Sequence, residues 1–214
     1  MRSDPRASAE SPLAPRKAPT QKRARSTVES ILQATEELVR ARGFERVGTR
    51  LIAERAGVSI GSLYQYFPTY ESILLAWYEQ VSASAARKMK VATVSILDKD
   101  LDSSARITLK ALLKVLEENE VALIRMPREV PEIERATSLT SFEYLNRAAM
   151  RLFFAQHHEF NPRDTERHIF FLETIILGTL RRYVMEKPRH VKRAEVLEQV
   201  TRIVSAYLKG NQAD

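Results

Sequence analysis

The segment from Ser59 to Tyr66 concentrates small and hydrogen-bonding side chains. Hydroxyl and amide groups can bond to phosphate oxygens or base edges, an isoleucine can contact a thymine methyl, and small residues let a helix approach a duplex closely. The candidate contact residues in this region are Arg50, Ser59, Ile60, Gly61, Ser62, Tyr64, Gln65 and Tyr66. No Lys or Arg lies within the segment, so further basic groups must supply most of the affinity for a polyanion.

Two short helices joined by a tight turn are predicted to position these residues. Ala53 is small where the helices touch, Gly57 permits the positive φ of the turn, and Ser59 can cap the second helix. The apolar positions that pack the pair are Ile52, Ala56, Val58, Leu63 and Phe67. The pattern predicts a helix-turn-helix that reads DNA, and a purely structural helical hairpin is the alternative.

Basic residues accumulate at the N-terminus. The chain has a net charge of +7, and residues 1–25 hold seven bases and two acids, so they account for +5 of it. Four of the nine prolines also fall there, which predicts a flexible basic arm. Lys22, Arg23 and Arg25 are the arm residues expected to contact DNA, although residues 1–15 alone could be a solvated leader with no role.

Several classes of protein are disfavoured by what the sequence lacks. The absence of cysteine excludes disulfides and thiolate chemistry, and no apolar run reaches the roughly 18 residues of a membrane span. His157, His158 and His168 lack the spacing of a metal site, and no serine-hydrolase or phosphate-loop motif occurs. No metal, cofactor, membrane partner or enzymatic activity is therefore expected, and a cytoplasmic location fits.

Glycine spacing and apolar periodicity predict an all-α chain. The box from Ser26 to Glu29 predicts the start of a first helix that Gly43 ends. Asn161-Pro162 predicts the start of a later helix, and a last helix ends before Gly210. Other helices are expected near 70–94, 103–119 and 136–157.

Residues 26–80 resemble the N-terminal domain of the TetR/AcrR family of bacterial transcriptional regulators. The resemblance rests on Gly43-Phe44-Glu45, on the run from Thr49-Arg50 through Ala56-Gly57-Val58-Ser59 to Tyr66-Phe67, and on Glu71, Leu74 and Leu75. It implies about nine helices, with a three-helix DNA-binding head joined by a long helix to a larger ligand-binding and dimerisation domain. Tyr70 stands where the family usually has a lysine that contacts phosphate, and its phenol can still donate one hydrogen bond.

The expected domains are a basic arm at 1–24, the head at 25–69, a helical ligand-binding and dimerisation domain at 70–210, and a tail at 211–214. The residues expected at the ligand pocket are Trp77, Tyr78, Met126, Phe142 and Met150. Trp77 and Tyr78 could instead simply pack the head against the body.

The helix at 163–185 has more apolar surface than a monomer needs, which predicts a homodimer. The expected interface residues, with the last helix contributing, are Ile169, Leu172, Ile176, Leu180, Val200, Ile203 and Tyr207. The alternative is a helix buried wholly within its own subunit.

The resulting hypothesis is a homodimeric repressor, associated with the nucleoid, that binds a palindromic operator and is released by a small-molecule effector. Two alternatives remain: a DNA-binding or architectural protein that needs no effector, and a helical enzyme whose helix-turn-helix is only structural.

Overall fold

The computed structural model of the chain describes residues 22–96, 99–136, 141–157 and 159–212. Every regular element in these ranges is helical, which confirms the predicted all-α class. The described residues contain ten α-helices, against the expected nine or so, together with short 3₁₀ and π segments. They divide into two compact units, the first formed by residues up to Tyr78 with Glu129–Ala136, and the second by Glu79–Arg128 with the residues from 141 onward.

The first unit is built on three helices that share one core. Helix α1 spans Lys22–Arg42, α2 spans Thr49–Ala56 and α3 spans Ile60–Tyr66, with a 3₁₀ turn at Phe44–Arg46. The first part of α4 (Tyr70–Val94) and the short α7 (Pro131–Ala136) complete this unit. Its fully buried side chains include Ile31, Val39, Ile52, Leu63, Phe67, Ile73, Leu74, Trp77 and Ile133.

Helix α1 begins before the residue predicted to cap it. Ser26 lies within the helix, and its carbonyl accepts a hydrogen bond from the Ser30 hydroxyl at 3.0 Å. The predicted capping box is therefore wrong. Residues 22–25 read Lys-Arg-Ala-Arg, all good helix formers, so the helix extends back through them. Arg23 and Arg25 are exposed on this first turn, whereas residues 1–21 of the predicted arm lie outside the described residues.

The turn between α2 and α3 has the predicted geometry. Gly57 adopts φ 69° and ψ 28°, and its amide donates to the carbonyls of Ala53 and Glu54 at the end of α2. This left-handed conformation costs glycine little, because glycine has no Cβ. Ser59 then caps α3 by accepting a hydrogen bond from the Ser62 amide at 3.0 Å. Both local predictions are confirmed.

The second unit is a bundle of longer helices. It holds the rest of α4, α5 (Leu101–Glu118), the π segment Val121–Arg125, and most of α6 (Met126–Glu129). It continues with α8 (Ser141–Gln156), α9 (Thr165–Glu186) and α10 (Arg193–Lys209). Helix α10 packs on α5 and α9, and α9 packs on α5 and α8. Asn161 caps a 3₁₀ turn at Pro162–Asp164, so α9 begins slightly later than the sequence predicted.

Candidate nucleic-acid interface and ligand cavity

Helix α3 presents its polar and small side chains outward. Leu63 is fully buried and anchors the helix, whereas Ile60 and Tyr64 are each 41% exposed. Gly61 and Gln65 are also exposed, and Ser62 and Tyr66 are half-buried. The outer surface of α3 can therefore meet a macromolecule without rearrangement of the core beneath it.

The N-terminus of α2 adjoins this surface. Gly48 precedes the helix and has no side chain to cap it, so the first backbone amides of α2 keep their hydrogen-bonding capacity. The hydroxyl oxygens of Thr49 and Tyr64 lie 3.0 Å apart, which places the Tyr64 phenol beside this helix end. Free amides, a phenol hydroxyl and the positive end of the helix dipole together favour an anion such as a phosphate group.

Arg50 supplies a full positive charge at the same place. It is exposed on the first turn of α2 and forms no hydrogen bond or ion pair with the described residues. Two other arginines of this unit are already paired, Arg40 with Glu36 at 2.8 Å and Arg55 with Glu37. The guanidinium of Arg50 is therefore available to an external anion.

Two of the predicted contact residues have internal partners. The Ser59 hydroxyl accepts from the Ser62 amide and donates to the Ser62 hydroxyl at 2.9 Å, so it serves mainly as the helix cap. The Tyr70 hydroxyl donates to the Phe44 carbonyl at 3.1 Å, and burial raises its pKa to about 12, with a smaller contribution from the charge of Glu71. The Tyr70 hydroxyl thus has an internal partner, and the phosphate contact at this position stays a prediction.

The second unit contains a largely apolar cavity of about 170 Å³. Side chains from α4, α5, α8, α9 and α10 form its walls. Its apolar lining includes Met89, Leu101, Leu109, Leu112, Met150, Phe153, Phe154, Leu172, Ile176 and Leu208. Its polar lining consists of Thr93, Ser104, Thr108, Asn146, Gln156, His157 and Glu173. A small apolar molecule fits such a site.

One of the five predicted pocket residues, Met150, lines this cavity. Met126 and Phe142 are buried in the core of the second unit, at 0% and 2% exposure. Trp77 and Tyr78 are buried and belong to the first unit. These four residues lie outside this cavity. Apolar side chains that fill a core and those that surround a void have the same sequence pattern, so the sequence could not distinguish them.

The cavity residues that the sequence missed come from helices far apart in the chain. Asn146 and Glu173 are the clearest of them, since each is a polar residue within an otherwise apolar helical face. That interruption of the apolar face is the signal by which they could have been found.

Most of the residues predicted at the dimer interface are buried within their own chain. Ile169, Leu172, Ile176, Leu180 and Val200 are between 0% and 8% exposed, so their own chain buries them and they cannot provide an interface. The regular apolar stripe of α9 faces the core. Ile203 remains 47% exposed and Tyr207 is half-buried.

The apolar surface that α9 leaves uncovered is formed by Phe170 and Phe171, which are 64% and 45% exposed. Their rings contact each other edge to face at 5.4 Å, and Phe171 lies 6.3 Å from the ring of Tyr207 on α10. With Ile203 they form an exposed apolar face on the last two helices, which we call the terminal-helix face.

A buried polar contact lies beneath this face. His168 is 1% exposed, and its Nδ1 lies 3.0 Å from the Tyr207 hydroxyl. Burial lowers the pKa of His168, the nearby charge of Arg167 acts in the same direction, and Asp164 opposes both. Within the ranges that the structure describes, no group of three His, Asp or Glu side chains is arranged to hold a metal ion.

Comparison with known proteins gives a specific match to the first unit. Residues 31–77 match the sequence profile described as "Bacterial regulatory proteins, tetR family". The HTH-type transcriptional repressor KstR of Rhodococcus jostii (strain RHA1) is 46% identical over 46 residues, which is 22% of this chain and 22% of KstR. The match thus spans about a fifth of that curated relative.

Solved structures match most of the chain. A TetR transcription regulator from Haloarcula marismortui has a TM-score of 0.62 and 22% identity, with 88% of this chain and 99% of that chain covered. A tetR-family regulator from Mesorhizobium loti has a TM-score of 0.66 and 17% identity, with 90% and 100% covered. The profile match confirms the resemblance inferred from the N-terminal motif. The helical fold of this chain aligns with nearly the whole length of both solved structures. No helix among the described residues is both long and apolar enough to cross a membrane.

Proposed function

Because residues 31–77 match the profile of the tetR family of regulatory proteins, we propose that this chain is a DNA-binding transcriptional regulator, namely a homodimeric repressor that a small-molecule effector releases from a palindromic operator. The observation that carries the proposal is the pairing of an exposed, hydrogen-bonding α3 with the uncapped N-terminus of α2. The relative that matches the first unit is itself named a repressor. Such a protein acts in the cytoplasm, on DNA of the nucleoid.

DNA recognition divides between two sets of groups. The backbone amides of α2, Arg50 and Tyr64 bind phosphates and orient the unit on the duplex. Ile60, Ser62 and Gln65 on α3 then face base edges in the major groove, where their methyl, hydroxyl and amide groups discriminate among bases. Arg23 and Arg25, with the arm that precedes them, add sequence-independent affinity.

Dimerisation provides the second recognition helix. The terminal-helix face is an exposed patch of large apolar side chains, and pairing it with a second copy would remove Phe170, Phe171 and Ile203 from water. A two-fold dimer places its recognition helices in successive major grooves, about 34 Å apart along the duplex. A palindromic operator follows from that symmetry.

The effector would bind in the cavity of the second unit. Helix α4 is continuous from Tyr70 to Val94, so the backbone that carries Met89 and Thr93 of the cavity wall also enters the first unit. An effector that binds better to a dimer with altered α3 spacing would lower the affinity for operator by the same coupling free energy. The cavity favours this mechanism over regulation without an effector.

Fluorescence anisotropy with the DNA upstream of the chain's own gene tests the proposal. Nanomolar binding to that DNA, with a shuffled control bound at least about a thousandfold more weakly at 150 mM salt, would support it. Arg50→Ala should weaken binding and reduce the salt slope by about 0.9. Arg40→Ala removes the same charge from an arginine that is already paired and should change neither quantity.

Equal and weak binding to both DNAs, repeated after selection from random sequence, would contradict the proposal. Loss of binding in neither Arg50→Ala nor Tyr64→Ala would instead indicate that the helix-turn-helix is only structural.

A further inference from the structure

We infer that the cavity of the second unit selects an uncharged, mostly apolar molecule, of about the size of one aromatic ring with a short chain, that carries a hydroxyl or carbonyl group. The inference rests on the proposed function, because it names the class of effector that the proposed regulator would take. It is carried by the size of the cavity, by the charges around it and by a half-buried side-chain amide that has no partner among the described residues.

The size of the cavity limits the ligand. Its volume is about 170 Å³, and an apolar cavity of about 150 Å³ is large enough to bind benzene. One ring therefore fills most of the space, and a short chain fills the rest. Met89 and Met150 lie in the walls, and their unbranched thioether side chains can adjust to ring or chain.

The walls make the site unsuitable for an anion. Among the described residues that line the cavity there is no Lys or Arg and one carboxylate, that of Glu173, whose side chain is only 13% exposed. Both oxygens of Glu173 accept from the Nε of Arg147, at 3.0 and 2.9 Å. A bound carboxylate or phosphate would lose its hydration, meet the charge of Glu173 and find no free cation.

A cationic ligand is also disfavoured. Arg147 already neutralises Glu173, so an ammonium group would have to displace a guanidinium held by both carboxylate oxygens. The other ionisable group of the wall, His157, has its Nδ1 2.9 Å from Glu159 and its ring 4.2 Å from that of Phe153. The charges facing the cavity are thus balanced without a ligand.

Asn146 provides the polar anchor. Its side-chain amide is half-buried in the cavity wall and forms no hydrogen bond with the described residues. Of the three wall hydroxyls, those of Thr93 and Ser104 donate to the carbonyls of Met89 and Ile96 at 3.1 and 3.4 Å, whereas that of Thr108 forms no hydrogen bond with the described residues and offers only a single donor. A primary amide offers both donors and an acceptor, which matches a hydroxyl or carbonyl group better than a hydrocarbon.

Four probes with one skeleton test the inference: 4-phenylbutan-1-ol, butylbenzene, 4-phenylbutanoate and 4-phenylbutylamine. We expect isothermal titration calorimetry of the full-length protein without DNA to give the tightest binding for the alcohol. Butylbenzene should bind several-fold more weakly, and the acid and amine at least about tenfold more weakly, because each brings a charge that the site cannot balance. Binding of the acid or the amine at least as tight as that of the alcohol would overturn the inference, as would no measurable binding of the alcohol.

Two variants locate the binding. Asn146→Leu keeps the side-chain size but removes the amide, so it should abolish the preference for the alcohol over butylbenzene and leave the weak binding of the acid unchanged. Ala149→Phe fills the cavity and should abolish binding of every probe, whereas Ala155→Phe, on an exposed position of the same helix, should not. Circular dichroism checks that each variant is folded. An unchanged alcohol preference in Asn146→Leu would overturn the role of the amide.

The two proposals can fail separately because these titrations contain no DNA. Alcohol binding without specific DNA binding would remove the proposed function and keep the ligand class of the cavity. Specific DNA binding with a preference for the acid or amine would keep the proposed function and overturn the ligand class.

Discussion

The hydroxyl oxygens of Thr49 and Tyr64 lie 3.0 Å apart, which links the first residue of α2 to the middle of α3. Tyr64 is 41% exposed, so this contact, rather than burial, holds its phenol beside the N-terminus of α2. The two helices of the motif therefore share one hydrogen bond at the point where a phosphate is proposed to bind.

Thr49→Val should weaken DNA binding while leaving the fold intact. The substitution preserves the shape of the side chain and removes its hydroxyl, so Tyr64 loses the partner that orders it. We expect operator affinity to fall about threefold to tenfold, which corresponds to about 0.5–1.5 kcal/mol for one hydrogen bond. Anisotropy titrations measure this change, and Thr179→Val, at an exposed position of α9, is the matched control. Equal affinities for the two variants would contradict the positioning role of Thr49.

Tyr70→Phe should lower the stability of the fold while leaving DNA binding unchanged. The Tyr70 hydroxyl donates to the Phe44 carbonyl at 3.1 Å, so its removal leaves that part-buried carbonyl without this donor. We expect the free energy of unfolding to fall by about 1 kcal/mol in urea titrations, with no change in operator affinity. A variant with normal stability and weakened DNA binding would show instead that the phenol contacts DNA.

Phe170→Glu should convert the dimer into monomers. Burying one phenylalanine contributes about 2 kcal/mol, and two-fold symmetry places the substitution in the interface twice. The dimer dissociation constant should therefore rise about a thousandfold, as measured by sedimentation equilibrium. Leu152→Glu places the same charge on a leucine of α8 that is 49% exposed and outside the terminal-helix face, and it should remain dimeric. Dissociation of the Leu152→Glu protein alone would place the interface on α8.

His168 should make the second unit less stable in mild acid. Burial lowers the pKa of His168 in the folded protein, so the unfolded chain binds more protons once the pH falls below the ordinary histidine value of about 6.5. The contribution to stability is thus complete above about pH 6.5 and is lost as the pH falls through the lower, folded pKa.

Urea titrations between pH 7.5 and 5 measure this effect. His168→Gln has no titrating ring and should lose less stability across that range than the unsubstituted protein. His190→Gln, at an exposed position, should lose as much as the unsubstituted protein. Parallel pH profiles for all three proteins would contradict the role of His168.

Local features of this fold could be predicted from the sequence, because neighbouring residues determine them. The left-handed turn at Gly57 and the cap at Ser59 depend on backbone conformation and on a hydrogen bond within one helical turn. The start of α1 could not be located as accurately as this turn and this cap. The residues before Ser26 are good helix formers, and a capping signal within a continuous helix has no effect on its start.

Tertiary features were harder to predict, since an apolar periodicity shows which residues avoid water but not what covers them. Leu172 and Ile176 were expected at a dimer interface, and they line the cavity instead. Trp77 was expected at a pocket, and it fills the core of the first unit. The Tyr70 hydroxyl bonds to the carbonyl of a residue 26 positions earlier, a contact that no local pattern indicates.

Helix α3 has only seven residues, and none of them is a lysine or arginine. In the proposed complex with DNA, α3 has no guanidinium to form two bonds to a guanine, so each copy would constrain few base pairs. A half-site with so little sequence information recurs by chance at many places in a genome, where it competes for the protein. When both half-sites must match, their chance frequencies multiply, so the proposed dimer would find far fewer competing sites in a genome than a monomer would.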